Sequence, residues 1–173
     1  MQNIEEIFLP LVGQLVWGIR QGHGSFLTME FGEPYRSVRE PIVASPGSST
    51  KVARNLARRR VFIVGQWHMW IQYSEWKVAT QYHSAASRDW ENGSVKAGLE
   101  ELDGQALLSA TAGDTPHSTV LEFDLGGKVL IWPRHEAARD DAQWSLHRRH
   151  GAIVTYRTDG TFGFDKGDAT DGG

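Results

Sequence analysis

Leu11-Val12-Gly13-Gln14 and Leu102-Asp103-Gly104-Gln105 are the stretches on which the fold reading turns, because self-similarity at a spacing near half the chain marks an internal duplication. Glu30-Phe31 and Glu122-Phe123 follow in the same order, 19 and 20 positions after Leu11 and Leu102 respectively. Pro41 and Pro133 then fall in register, each 11 positions after its Glu. One extra residue in the second intervening turn reconciles the two halves.

Around this anchor each half reads alike. Ile4, Ile7, Phe8 and Leu11 share one face of a helix over 4–11, and Val95, Leu99 and Leu102 share one face of a helix over 94–102, with Ser94 as its N-cap. Gly13 and Gly104 stand where helices stop. Runs at 15–19 and 106–110 then pair with period-2 strands at 26–31 and 119–125 across turns rich in Gly, Asp and Pro. A third strand follows in each half, 35–39 after Gly32-Glu33-Pro34 and 128–132 after Gly126-Gly127, and ends at its proline. Further strands are expected at 60–64, 67–73, 76–80, 143–148, 152–157 and 161–164. The fold class is α+β: two tandem repeats, 1–80 and 94–165, of a short helix and an antiparallel β-meander, forming one compact domain with a flexible tail at 166–173. Strands joined by such short turns run antiparallel, which excludes a doubly wound nucleotide-binding sheet.

Composition narrows the chemistry. The chain has 173 residues, 40% of them hydrophobic and 23% charged, a net charge of −3 and no cysteine. Thiolate catalysis, disulfide frameworks and Cys-based zinc or iron–sulfur sites are therefore excluded. The start is acidic where a signal peptide would be basic, and no apolar run approaches the roughly 20 residues of a membrane span, so a cytoplasmic protein with no membrane partner is expected. The near-neutral balance gives no general field for nucleic acid.

Four features carry candidate chemistry. Glu30 and Glu122 occupy equivalent strand positions and offer a paired-carboxylate site, against the plainer reading of solvated residues paired with Arg20 or Arg39. His23, in Gly22-His23-Gly24-Ser25, is a turn histidine that could serve as a base or bind an anion; a strand follows it, so it is no nucleophile elbow. In Trp67-His68-Met69-Trp70-Ile71-Gln72-Tyr73, period 2 puts Trp67, Met69, Ile71 and Tyr73 on one face and His68, Trp70 and Gln72 on the other. Trp70 is then covered by a helix, exposed as a binding anchor, or lines a pocket with Trp76. Arg58, Arg59 and Arg60, with Lys51 and Arg54, form a basic cluster beside the flexible stretch Ser45-Pro46-Gly47-Ser48-Ser49-Thr50. The pair His147 and His150 makes a metal site only within a turn, and no metal or cofactor is expected.

Leu102-Asp103-Gly104-Gln105, the run 121–127, Gln143-Trp144-Ser145-Leu146 and Asp159-Gly160, together with 17–34 and 65–71, resemble an uncharacterised bacterial family, a domain of unknown function built of two helix-plus-β-meander repeats. The family is loosely similar to small immunity proteins of toxin systems. The resemblance implies a bacterial protein and brings no catalytic residues. The leading expectation is a non-enzymatic cytoplasmic factor that binds another protein as an immunity or antagonist protein, using Trp70, Trp76, Arg58, Arg59 and Arg60. The alternative is a small-molecule-binding or hydrolytic protein whose pocket between the repeats holds His23, Glu30, His68 and Glu122. Nucleic acid ranks third, and an unpaired sheet edge leaves a homodimer open.

Overall fold

The computed structural model describes residues 3–89 and 93–167. Its class is α+β, with three helices and two antiparallel sheets. Helix α1 (Ile4–Phe8) begins where the Asn3 side chain accepts the Glu6 N–H at 2.8 Å, and a 3-10 turn over Leu9–Leu11 closes it. Helix α3 (Gly93–Leu102) buries Val95, Leu99 and Leu102 as their spacing requires. It starts at Gly93, so Ser94 lies inside the first turn rather than capping it.

The first sheet has the order β1-β2-β3-β9-β10-β11, comprising β1 (Val16–Gln21), β2 (Leu27–Arg39), β3 (Arg60–Ile71), β9 (Ala142–Arg148), β10 (Ala152–Arg157) and β11 (Phe162–Lys166). The second has the order β5-β4-β8-β7-β6, comprising β4 (Ser74–Ala79), β5 (Ser84–Ala86), β6 (Leu107–Ala112), β7 (Thr119–Phe123) and β8 (Lys128–Pro133). The chain passes from one sheet to the other between β3 and β4, where Tyr73 takes a left-handed φ of +33°. Substituting β6, β7, β8, β4 and β5 for β1, β2, β3, β9 and β10 turns the order of the first sheet's first five strands into that of the second.

The two Gly-Gln corners meet. The Gly13 N–H donates to the Leu107 carbonyl and the Gly104 N–H to the Val16 carbonyl, each at 2.7 Å. Val16 N–H reaches Gln105 O at 2.8 Å, Leu107 N–H reaches Gln14 O at 2.9 Å, and Leu15 pairs with Ala106 between them. Both glycines have positive φ, +82° and +91°, the conformation that ends a helix without Cβ strain.

Alternate residues of both sheets face one hydrophobic cluster: Leu27, Met29, Phe31, Met69, Ile71, Trp144 and Leu146 from the first, Trp76, Val78, Leu121, Val129 and Ile131 from the second. Two indole donors tie the layers together: Trp144 Nε1–H donates to Thr119 Oγ1 at 3.0 Å and Trp76 Nε1–H to Ser25 O at 2.7 Å.

The structure departs from expectation at residues 32–41. Gly32-Glu33-Pro34 is not a turn: β2 continues through an irregularity between Phe31 and Pro34 and stays paired with β3 out to Arg39↔Arg60. β1 pairs β2 no further than Val16↔Phe31, so at Pro34 β2 has β3 on one side only and is an edge strand, the setting in which proline is tolerated. Residues 35–39 are therefore not the counterpart of β8, whose place in its sheet matches that of β3. Nor are Pro41 and Pro133 equivalent, since Pro133 pairs with Ser74 while Pro41 follows the end of β2. The outer parts of β2 and β3 make a two-stranded arm, with α2 (Thr50–Leu56) at its far end, capped by Ser49, and no residue of α2 is buried. Lys166, assigned to the tail from sequence, closes β11 opposite Ala152; residues 168–173 lie outside the described residues.

Candidate functional site

Two surfaces gather the candidate residues. The first is the arm. Val61 and Ile63 are 60% and 57% exposed and Val43 94%, and Val38, Ile42, Val52 and Phe62 are exposed beside them. Residues 33–60 carry seven basic and two acidic side chains, whereas the rest of the chain carries eleven basic and nineteen acidic. Within the arm Arg59 forks onto Glu40, with Nε–H to Oε1 at 2.9 Å and Nη2–H to Oε2 at 2.8 Å. That hydrogen bonding holds the Glu40 carboxyl below its usual range and raises Arg59. Arg39 Nη2 donates to the Asn55 carbonyl at 2.7 Å, pinning α2 to the strands. Arg60 lies over the Phe62 ring at 5.7 Å and Arg149 over the Tyr35 ring at 3.8 Å. A groove of about 730 Å³ at the tip is lined by Thr50, Lys51, Arg54, Asn55, Ala57 and Arg58.

The second surface is the face of the first sheet turned away from the core. Glu30, His68 and His147 stand in one row across β2, β3 and β9. Glu30 Oε1 lies 2.9 Å from His68 Nδ1, and Glu30 Oε2 accepts the Gly65 N–H at 2.9 Å, so the carboxylate orients the imidazole and is itself oriented. His147 Nε2 is 3.1 Å from Ser145 Oγ, which also accepts from Gln72 Nε2 at 3.3 Å. Burial, and then the neighbouring His68, push the His147 imidazole below its ordinary pKa. In the next row Trp70 is 39% exposed. Its ring is 6.3 Å from that of Phe26, which packs at 6.2 Å against Tyr73. A groove of about 320 Å³ there is lined by Arg20, Gln21, Gly22, His23, Phe26, Thr28 and Trp70.

The structure thus brings His23 and Trp70 into one groove, with Glu30 and His68 one row away. It separates the others. Trp76 is fully buried on β4, between β5 and β8, with its indole N–H spent on Ser25 O, so it is a core residue rather than a partner of Trp70. Glu122 lies on the second sheet, 2.7 Å from Lys128 and accepting from Ser109 at 3.2 Å, and the hydrogen bond from Lys128 keeps its carboxyl below the usual range. Because Leu121 and Phe123 point to the core, as Met29 and Phe31 do, Glu30 and Glu122 face away from it on different sheets and form no shared pocket. Their partners are His68 and Lys128, not Arg20 or Arg39. Arg58, Arg59 and Arg60 all lie on the arm, apart from Trp70.

Sequence reasoning passed over Val61, Phe62 and Ile63. Their signal is a run of four apolar residues, Val61 to Val64, behind three arginines, which a half-buried strand of period 2 would not carry. Among the described residues no group of three or more His, Asp or Glu side chains is placed to hold a metal ion, and no helix is long and apolar enough to cross a membrane. Comparison with protein-family models, with curated proteins and with solved structures finds no match to this chain.

Proposed function

We propose that this chain is a protein-binding factor and that the arm, residues 34–65, holds the partner. The observation that carries the reading is the arm itself: branched aliphatic side chains exposed on a paired ribbon that leaves the sheet, in a segment with an excess of six positive charges. The body of the fold has no need of it. In the second sheet the hairpin of β7 and β8 closes directly, with Phe123 N–H bonded to Gly127 O at 2.8 Å, at the place where β2 and β3 run on. The reading takes the biological form of a cytoplasmic immunity or antagonist protein, in keeping with small size and strand richness.

The same comparison of hairpins supports reading the chain as two copies of one unit, each giving its last strands to the other's sheet. The exchanged hydrogen bonds of the Gly13 and Gly104 corners, and the matching strand orders, are its support. On that reading the arm is an insertion into the first copy.

The test replaces residues 35–64 with Asn-Gly between Pro34 and Gly65, which face each other in the register. The intact chain, tagged and recovered from its native lysate, should carry a stoichiometric protein that the arm-less chain does not. Equal recovery by both would overturn the reading. A second reading, a small-molecule site, is favoured by the groove at Trp70, where Arg20 and His23 border an aromatic floor. Quenching of Trp70 fluorescence by a ligand, lost in Trp70→Phe and kept in the arm-less chain, would select it.

A further inference from the structure

The arm's two edges differ. β9 pairs with β3 only from Trp67 to Ile71; the Arg149 N–H still reaches Gln66 O at 3.0 Å, and the chain then turns away through His150, with φ +52°. Beyond that point, residues 60–65 of β3 pair with β2 on one side, and among the described residues no strand pairs with them on the other. β2 contains Pro34, which has no N–H to give, whereas residues 60–65 of β3 contain no proline. Side chains flank this open edge on both faces: Val61 and Ile63 lie on one, Phe62 and Val64 on the other. Positive charge closes both ends, with Arg58 and Arg60 at the far end, beside the Arg59–Glu40 pair, and Arg148 and Arg149 where β9 departs.

We infer that the partner is held by strand addition: an extended segment of another protein, acidic at both ends and alternating in apolar residues between, pairs with β3 over residues 60–65 in the position β9 leaves open. Six residues of strand span about 20 Å, which sets the spacing of the acidic ends. Main-chain hydrogen bonds supply the grip, and the arginines select carboxylates. The inference rests on the arm reading above. Other occupants fit less well. Single-stranded nucleic acid stacks on bare aromatic faces, whereas the Phe62 and Tyr35 rings already carry Arg60 and Arg149. A lipid surface wants one apolar face, and here apolar side chains lie on both. A second copy would bring two positively charged arms together.

A random nonapeptide library displayed on phage, selected on the intact chain and counter-selected on the arm-less chain, provides the probe. The expected winners alternate apolar residues and carry Asp or Glu at both ends. Consecutive strand residues direct their N–H groups to opposite edges, so of Phe62→Pro and Ile63→Pro one blocks the open edge and spares the β2–β3 ladder. That variant should bind a winning peptide at least tenfold more weakly with an unchanged circular dichroism spectrum. Joint replacement Arg58→Glu, Arg59→Glu and Arg60→Glu should turn the selection toward Lys-flanked peptides. No enrichment over the arm-less chain, winners without acidic ends, arm-dependent binding of a DNA duplex or of phosphatidylglycerol vesicles, or an arm-dependent dimer by light scattering would each overturn the inference. If the arm-less chain loses its protein partner while both proline variants keep it, strand addition fails and the arm reading stands; if the arm-less chain keeps the partner, both fall.

Discussion

Replacing residues 35–64 with Asn-Gly should leave the body of the fold as stable as before, which follows from what the arm touches. The thirty residues removed contribute none of the buried hydrophobic cluster. The Gly65 N–H that orients Glu30 is retained, as is the Pro34↔Gly65 register pair. The contact of Arg149 over Tyr35 is lost with the arm, worth about 0.5–1 kcal/mol at an exposed site. Against this, the connection shortens about fifteenfold, nearly four halvings at about 0.6 kcal/mol each, so up to about 2.4 kcal/mol of closure entropy is recovered. The arm's own ladder already holds its ends together, which reduces that gain. The net change is expected to be no worse than a loss of about 1 kcal/mol. Urea unfolding followed by tryptophan fluorescence measures it, and the m-value should fall by less than the share of chain removed, because little of the arm is buried. A loss above about 3 kcal/mol, or a broadened transition, would refute the claim that the arm is separable from the core.

Trp76→Ala should cost about 3–5 kcal/mol by opening a cavity and stranding the Ser25 carbonyl, while Trp70→Ala should cost under about 1.5 kcal/mol; chemical denaturation of the pair checks the contrast. Gly13→Ala and Gly104→Ala meet no atoms within 4 Å but force Ala into positive φ, so each should lose about 1–2 kcal/mol, and unequal losses would count against the likeness of the two corners. The depressed pKa of His147 means that its neutral form is favoured in the fold. Its contribution is fully present above the unfolded value near 6.5 and is lost as pH falls from there through the lower folded value. His147→Gln should therefore narrow the gap between urea midpoints at pH 7.5 and pH 5.5, and an unchanged gap would show that His147 contributes nothing to it.

The parts of the fold legible in the sequence are those set by neighbours along the chain. Alternation at Met29/Phe31, Met69/Ile71 and Leu121/Phe123 marks the inward faces correctly, and it puts Trp70 on the polar face where the structure has it. Illegible were the events decided across the chain. Pro34 reads as a strand end because a proline inside a ladder loses a bond, but β1 pairs β2 no further than Phe31, so at Pro34 the strand has β3 alone beside it and is an edge strand, where proline is tolerated. Trp76 reads as a companion of Trp70 because six positions separate them, yet the corner at Tyr73 carries it to the other sheet and turns it inward. Glu30 and Glu122 read as a pair because their spacings from the Gly-Gln corners differ by one residue, yet each stands on the outward face of its own sheet.

The arginine cluster shows why composition alone could not choose among partners. As a run in sequence, Arg58, Arg59 and Arg60 suit phosphate, lipid headgroup or carboxylate equally, since each is an anion at hydrogen-bonding distance. Their surroundings break the tie. Arg59 is already matched to Glu40, a carboxylate in bidentate geometry, and the strand that continues from Arg60 has apolar side chains on both faces and a free edge. Phosphate recognition would use the charge and leave the edge and the aliphatic side chains in water. A protein strand uses all three, because its main chain pairs with the edge, its apolar side chains cover Val61 and Ile63, and its acidic ends meet the arginines. The body is left to supply a rigid base, with its core closed whether or not the arm is filled.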